Sequence, residues 1–276
     1  MPEYWLYELR PKCRLSAIAA DGPRRGALIR VDGGVADVHP WPELGDLPLD
    51  EQLALLARGQ TTPLTEASLE FARIDAAARR DTRSLFDGLT IPPSHWPGPD
   101  PPPGFDTVKL KGIDRIPDHV RLRIDFNATL TPEEFVKIAA TLPRERIDFI
   151  EDPCPYDPSV WRELRERTGL RLALDRGIRT ENVDVLIVKP AIQEIQCTDL
   201  EVVVTSYMDH PIGQLCAAYT AATANIKSTC GLITHVLYEN DAFIERMQID
   251  GTRLVPPGGM GWGFDDLLEK LPWQRL

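Results

Sequence analysis

The chain of 276 residues has little that would tie it to a membrane, to nucleic acid or to an oxidising compartment. No apolar run approaches the ~20 residues needed to cross a bilayer. The start, Met-Pro-Glu-Tyr-Trp, has no basic segment followed by an apolar stretch, so a cytosolic protein is expected. Positive charge is in deficit, with 31 Lys and Arg against 42 Asp and Glu and a net charge of -11. Phosphate binding rests on Lys and Arg patches, so neither nucleic acid nor an anionic membrane is expected as a partner. The five cysteines, Cys13, Cys154, Cys197, Cys216 and Cys230, are scattered and form no C-x-x-C pair. That excludes a recognisable zinc site or disulfide framework and predicts buried free thiols. The five histidines are equally dispersed and contain no H-E-x-x-H.

What is present suits an ordinary globular core: 43% of residues are apolar and 26% charged. The length allows one barrel plus a small partner domain. Residues 1 to 90 read as an α+β unit. Tyr4 to Leu9, Ala27 to Val31 and Val35 to Val38 have strand character, with Asp32-Gly33-Gly34 as a tight turn. Leu49 to Arg58 is a first helix, and Thr62 caps a second that starts at Pro63 and runs through Leu64 to Arg80.

Seven prolines then fall between Pro92 and Pro103. Their fixed φ and missing amide donors exclude a helix and favour an extended run, read as a connection between domains over 91 to 104 rather than a ligand for another protein. The barrel is expected over 105 to 249, with a tail, 250 to 276, that returns to the first domain.

From Lys109 to Lys189 the chain carries five short apolar segments, each ending in charge: Val-Lys-Leu-Lys (108 to 111), Leu-Arg-Ile-Asp-Phe-Asn (122 to 127), Asp-Phe-Ile-Glu-Asp-Pro (148 to 153), Leu-Ala-Leu-Asp (172 to 175) and Leu-Ile-Val-Lys-Pro (186 to 190). Charge at the end of a buried strand is costly unless paired, metal-bound or facing a cleft. In parallel barrels such a cleft lies at the C-terminal strand ends. Helices fit between the segments: Thr131-Pro132-Glu133-Glu134 is a capping box before Phe135, Ile138, Ala139 and Leu142, and another helix runs from Asp157-Pro158 to Gly169. Pro211 to Asn225 is an Ala-rich helix, and Thr229 to Thr234 reads as a last barrel strand. The glycines of 256 to 263 follow no βαβ unit and read as a closing turn.

The spacing of these charges limits the architecture. Asp125 to Glu151 spans 26 residues and Glu151 to Asp175 spans 24, enough for helical crossovers. Lys111 to Asp125 and Asp175 to Lys189 span only 14, and Lys189 to Thr205 only 16. A βαβ unit needs about 30. The expected fold is therefore a modified (β/α) barrel with several outer helices reduced or missing, beside the N-terminal α+β domain.

Asp125, Glu151 and Asp175 offer three carboxylates on successive strands. Taken singly, each reads as a loop cap or an Arg partner; together they suit a hard divalent ion such as Mg²⁺. Lys109 and Lys111 precede the triad and Lys189 follows it. Alone, the two early lysines read as solvated charges at a strand end. Beside a metal site they suggest proton transfer, because burial and neighbouring positive charge favour the neutral lysine that a general base requires.

In this order, Lys-x-Lys, Asp-x-Asn, Glu-Asp-Pro, a strand-end Asp and Lys-Pro resemble the muconate-lactonizing branch of the enolase superfamily, most of all the o-succinylbenzoate synthases of menaquinone biosynthesis. Arg25 to Arg30 and Ser68 to Leu89 are similar to that family's capping domain. The resemblance implies that Asp125, Glu151 and Asp175 hold Mg²⁺ and that Lys111 removes the α proton of a small-molecule carboxylate. Lys109 would modulate Lys111, and Lys189 would stabilise the enediolate from the other side. Thr205 or Ser206 would hold the succinyl end, with the loop at Arg24, Arg25 and Gly26 closing over it. The implied reaction is syn-dehydration of 2-succinyl-6-hydroxy-2,4-cyclohexadiene-1-carboxylate to o-succinylbenzoate. An N-acylamino-acid racemase or dipeptide epimerase is the alternative within the superfamily, and a non-catalytic barrel used for binding or assembly is one from another class.

Two features depart from the family pattern. Asp175 is followed by Arg176 where the family has Glu, which puts support of that ligand in question. The missing helices would bare apolar barrel surface, to be covered by the capping domain or by a second copy in a homo-oligomer.

Overall fold

Side-chain alternation in the first forty residues builds three antiparallel strands, β1 (Glu3–Leu9), β2 (Arg24–Val31) and β3 (Gly34–Val38). The computed structural model describes residues 2–175, 177 and 180–276. Asp32 and Gly33 turn the chain between β2 and β3 with φ of 53° and 87°. Two helices follow, α1 (Leu49–Ala57) and α2 (Pro63–Arg80), the second capped by Thr62 with Pro63 in its first turn. Helix α2 lies so close to β3 that a Cβ on Gly34 would sit 2.0 Å from the Ala72 carbonyl oxygen.

Seven parallel strands form the second unit: β4 (Trp96–Pro97), β5 (Thr107–Leu110), β6 (Arg121–Asp125), β7 (Ile147–Glu151), β8 (Leu172–Asp175), β9 (Val185–Val188) and β10 (Glu201–Val204). They are hydrogen-bonded in chain order. Cys230 and Gly231 supply an eighth position that closes the ring. On one side Cys230 bonds to Pro93 and His95, and on the other Gly231 bonds to Val204 and Ser206, at 2.7 to 3.0 Å. The proline run is thus more than a connection, because Trp96 and Pro97 form the first barrel strand and Ser94 and His95 before it pair with the closing segment. Proline is tolerated there because β4 is only two residues long and stands at the seam.

Helix α3 (Pro132–Ala139) joins β6 to β7, α4 (Pro158–Thr168) joins β7 to β8, and α5 (Pro211–Thr223) follows β10. Thr131 and Glu134 form the expected capping box, and Gly169 ends α4 in the left-handed conformation at φ 62°. Among the described residues no α-helix follows β4, β5, β8 or β9. The barrel wall is nonetheless covered. Ile113, Ile116 and Val120 after β5, and Ile195 and Leu200 after β9, pack against the outer apolar cluster in place of helices. Among the described residues the exposed large hydrophobics are Leu6 and Leu47, both outside the barrel, so a second subunit is not needed to cover it. Inside the barrel, Phe149, Ala173, Val185, Ile187 and Val203 fill the interior below the strand ends.

The C-terminal part forms the hairpin β11 (Gln248–Asp250) and β12 (Arg253–Val255), the short helix α6 (Asp265–Leu268), and β13 (Gln274–Arg275), which pairs with β1. The glycine-rich segment before α6 docks on Asp75, which is fully buried in α2. That carboxylate accepts from the backbone N–H of Val35 and of Trp262, each at 2.8 Å, and from Arg79 Nε at 2.6 Å. Of the cysteines, Cys154, Cys216 and Cys230 are buried, whereas Cys13 and Cys197 are exposed. Among the described residues no helix is long and apolar enough to cross a membrane.

Candidate active site

Parallel register brings the strand-end charges to one level. Lys109 stands opposite Arg123, and Asp125 opposite Glu151. Around the ring, Asp125, Glu151 and Asp175 on β6, β7 and β8 form an anionic arc. Lys111, one residue past β5, flanks it on one side, and Lys189, one residue past β9, on the other. Thr205, just past β10, Gly231 in the closing segment and His95, just before β4, make up the opposite, uncharged arc.

Each carboxylate is engaged by a lysine. Lys109 Nζ donates to both oxygens of Glu151 at 2.6 Å. Lys111 Nζ donates to Asp125 Oδ2 at 2.5 Å, and Lys109 Nζ lies 3.2 Å from the same oxygen. Lys189 Nζ donates to Asp175 Oδ2. Asp125 Oδ1 accepts from the backbone and side-chain nitrogens of Asn127 at 2.8 and 2.9 Å, which accounts for the Asp-x-Asn spacing.

The electrostatics follow from burial and these pairings. Burial alone would raise the Asp125 carboxyl, but the Lys111 and Lys109 ammoniums outweigh it and hold the group well below the usual carboxylate range. Burial, helped by the neighbouring Asp125 charge, pushes Glu151 up to about 7 despite Lys109. Asp152 is raised well above its ordinary value by burial and by Asp175, Glu151 and Asp125. Burial opposes charge on Lys109, yet Glu151, Asp125 and Asp175 more than compensate and keep it cationic.

A cavity of about 260 Å³ opens above this layer, lined by Lys109, Lys111, Lys189, Thr205 and Ser206, with Arg14 and Leu15 of the β1–β2 loop at its mouth. The three carboxylates lie behind the lysines. As they stand, no three Asp, Glu, His or Cys groups among the described residues are gathered closely enough to hold a metal ion. The donor set still fits a hard divalent cation: it is all oxygen and anionic, and Asp175 Oδ1 is buried without a hydrogen-bond partner among the described residues.

The structure thus brings Lys109, Lys111, Lys189, Asp125, Glu151 and Asp175 together, and it places Thr205 and Ser206 on the cavity wall. Ser206 Oγ is within 2.6 Å of Thr234 Oγ1, whereas Thr205 Oγ1 is buried without a partner among the described residues. Arg25 and Gly26, expected over the substrate, are elsewhere. They lie within β2, with the Arg25 side chain exposed near Asp50 and Gly26 facing Tyr7, whose hydroxyl would be 2.2 Å from a Cβ at that position. The glycine is explained by that crossing, and residues 13 to 15 occupy the place expected of the closing loop. Arg176 lies outside the described residues.

Two residues at the site carry no recognisable motif. Arg123 crosses the barrel interior beneath the lysines, donating from Nε to Asp148 at 2.8 Å and from Nη1 to the Thr229 carbonyl at 2.6 Å. Its Nη1 also lies 3.1 Å from His95 Nδ1. Burial, then the charges of Arg123, Lys109 and Lys111, hold the His95 ring neutral, well below its usual range. The sequence signal for His95 was its place among prolines that cannot donate; for Arg123 it was the shared face with Asp125.

Comparison with known proteins shows the family. Residues 2–78 match the family model "O-succinylbenzoate synthase, N-terminal domain", and residues 102–197 match "Enolase C-terminal domain-like". An o-succinylbenzoate synthase of Bdellovibrio bacteriovorus is 36% identical, over 99% of this chain and 98% of its own length. The chain belongs to the o-succinylbenzoate synthase family of the enolase superfamily. That alignment runs over 324 positions, more than the 276 residues present, so this family member lacks internal segments that its relative carries. The same fold occurs in the L-Ala-D/L-Glu epimerase of Bacillus subtilis, at a TM-score of 0.75 and 14% identity over 95% of this chain and 97% of that one. It also occurs in a dipeptide epimerase of Cytophaga hutchinsonii complexed with Mg and the dipeptide D-Ala-L-Val, at 0.75 and 15% over 99% and 98% of the two chains.

Proposed function

We propose that the protein catalyses the Mg²⁺-dependent syn elimination of water from 2-succinyl-6-hydroxy-2,4-cyclohexadiene-1-carboxylate, giving o-succinylbenzoate for menaquinone biosynthesis in the cytoplasm. The observation that carries this reading is the placement of Lys111 and Lys189 at the two ends of one anionic arc. The 36% identical relative named for this activity supports it.

In this reading Asp125, Glu151 and Asp175 hold the ion, which when bound supplies a Lewis acid to the substrate carboxylate. Lys111 Nζ takes the α proton, and the C–H electron pair passes into the enediolate. The same ammonium then returns the proton to the departing hydroxyl on the same face, so that the C–O bond breaks, water leaves and the ring becomes aromatic. Lys189 opposes the developing negative charge from the other side. Lys109, committed to Glu151 and cationic, sets a fixed positive charge beside the same Asp125 oxygen that Lys111 engages.

Lysines on two sides of an enolate also suit proton exchange on either face, so N-acylamino-acid racemisation or dipeptide epimerisation is the second reading. Turnover of the cyclohexadiene acid, compared with deuterium exchange into N-succinyl amino acids and dipeptides, tests the choice. No metal-dependent turnover of any of them would leave the non-catalytic barrel as the answer.

A further inference from the structure

The uncharged arc opposite the carboxylates holds two polar groups that the proton-transfer chemistry does not use. A guanidinium has no acceptor, so the 3.1 Å contact between Arg123 Nη1 and His95 Nδ1 requires Nδ1 to accept. The imidazole proton therefore resides on Nε2. That N–H has no hydrogen-bond partner among the described residues, and the ring lines the cavity. Beside it, Thr205 turns its Cγ2 methyl towards Gly231, and its Oγ1 is buried without a hydrogen-bond partner among the described residues. Gly231 separates them: a Cβ there would lie 3.0 Å from His95 Nε2 and 2.9 Å from Thr205 Cγ2. Only a residue without a side chain lets the two side chains stand this close, so the glycine and the locked tautomer together open a small notch at Nε2–H.

We infer that His95 Nε2–H binds a carbonyl oxygen on the side chain of the substrate, the end remote from the proton being moved. The charge pattern around the ring supports this. A substrate whose reacting carboxylate faces the anionic arc and its lysines must extend its remaining atoms across the cavity, onto β10 and β4. A neutral donor is suited to a ketone or the tip of a carboxylate there, since a second fixed cation would compete with the lysine side for the reacting carboxylate. Arg123 strengthens the donor without placing charge in the cavity, because a cation bonded to Nδ1 polarises the ring towards Nε2. Buried donors left unpaired also discriminate against acids that lack the side-chain oxygen.

The inference rests on the dehydratase reading and is tested separately from it. Binding of o-succinylbenzoate and of benzoate, which lacks the succinyl chain, is measured on the Mg²⁺-loaded full chain and on His95→Phe. The expected result is a loss of about tenfold for o-succinylbenzoate and less than twofold for benzoate. In the unaltered protein, the ring ¹⁵N resonances should report Nε2 as protonated, and its N–H signal should move on adding o-succinylbenzoate but not benzoate. Equal losses for both ligands, or an unmoved Nε2–H signal, would overturn the inference. If the parent turns over the cyclohexadiene acid while His95→Phe keeps full affinity for o-succinylbenzoate, only the inference fails. If the parent instead acts on N-succinyl amino acids, N-succinylphenylalanine against phenylalanine is the deciding pair, because the succinyl carbonyl is retained. A parent that binds none of the succinyl ligands overturns both.

Discussion

Lys111 and Asp125 extend from neighbouring parallel strands, and their side chains meet at 2.5 Å, with the Lys109 ammonium 3.2 Å from the same carboxylate oxygen. Two cations on one buried oxygen leave Asp125 paired if either is lost. Lys111→Ala is therefore expected to fold with near-parental stability, since Lys109 still compensates Asp125, while losing at least 10³-fold in kcat as its proton acceptor disappears. Turnover and thermal unfolding measured on one preparation check both halves.

Asp175 Oδ1 is the buried carboxylate oxygen at the site without a partner among the described residues. Millimolar Mg²⁺ should raise the Tm of the parent, because a ligand that binds the folded state stabilises it by mass action. Asp175→Asn should weaken Mg²⁺ by about 10- to 100-fold and largely remove that shift. An identical Mg²⁺-dependent rise in the variant would contradict the assignment of Asp175 as a ligand.

Asp209, at the joint between the N-terminal sheet and α5, is pushed up to about 7, from an ordinary 3.8, by burial. Its Oδ1 has no partner among the described residues. Below 3.8 the carboxyl is protonated in both the folded and the unfolded chain. Between 3.8 and about 7 only the folded chain keeps the proton, so stability falls as pH rises; above about 7 the penalty is constant. Asp209→Asn should therefore be more stable than the parent at pH 8 and little different at pH 4, by urea denaturation at the two values.

Asp75 ties α2, β3 and the closing segment through Val35, Arg79 and Trp262. Asp75→Ala strips three donors of their acceptor and leaves Arg79, which also bonds Asp265 at 2.6 Å, partly compensated. A loss of about 3–5 kcal/mol is expected, the range for breaking a buried pair. Denaturant titration measures it, and a loss below about 1 kcal/mol would show that the joint contributes little.

Much of the site was legible in the chain because its signals are local. Strand-end polarity, the order Lys-x-Lys, Asp-x-Asn, Glu-Asp-Pro, Asp and Lys-Pro, and the capped starts of α2, α3 and α4 each occupy a few consecutive residues. The 14-residue intervals likewise excluded helices after β5 and β8 by length alone. Closure of the barrel through Cys230 and Gly231, the use of the proline run as a strand and the covering of the wall by Ile113, Ile116 and Ile195 depend on contacts between distant segments, which no local pattern records. The same holds for the capping loop, where the Arg-Gly pair at 25 and 26 serves the crossing of Tyr7 while residues 13 to 15 reach the cavity. Sequence by itself determined which charges stand at the strand ends, because alternation along a strand is a property of neighbours. Tertiary structure alone decided which lysine meets which carboxylate, and that Arg123 fixes the proton of His95, because those pairings depend on register across the closed ring.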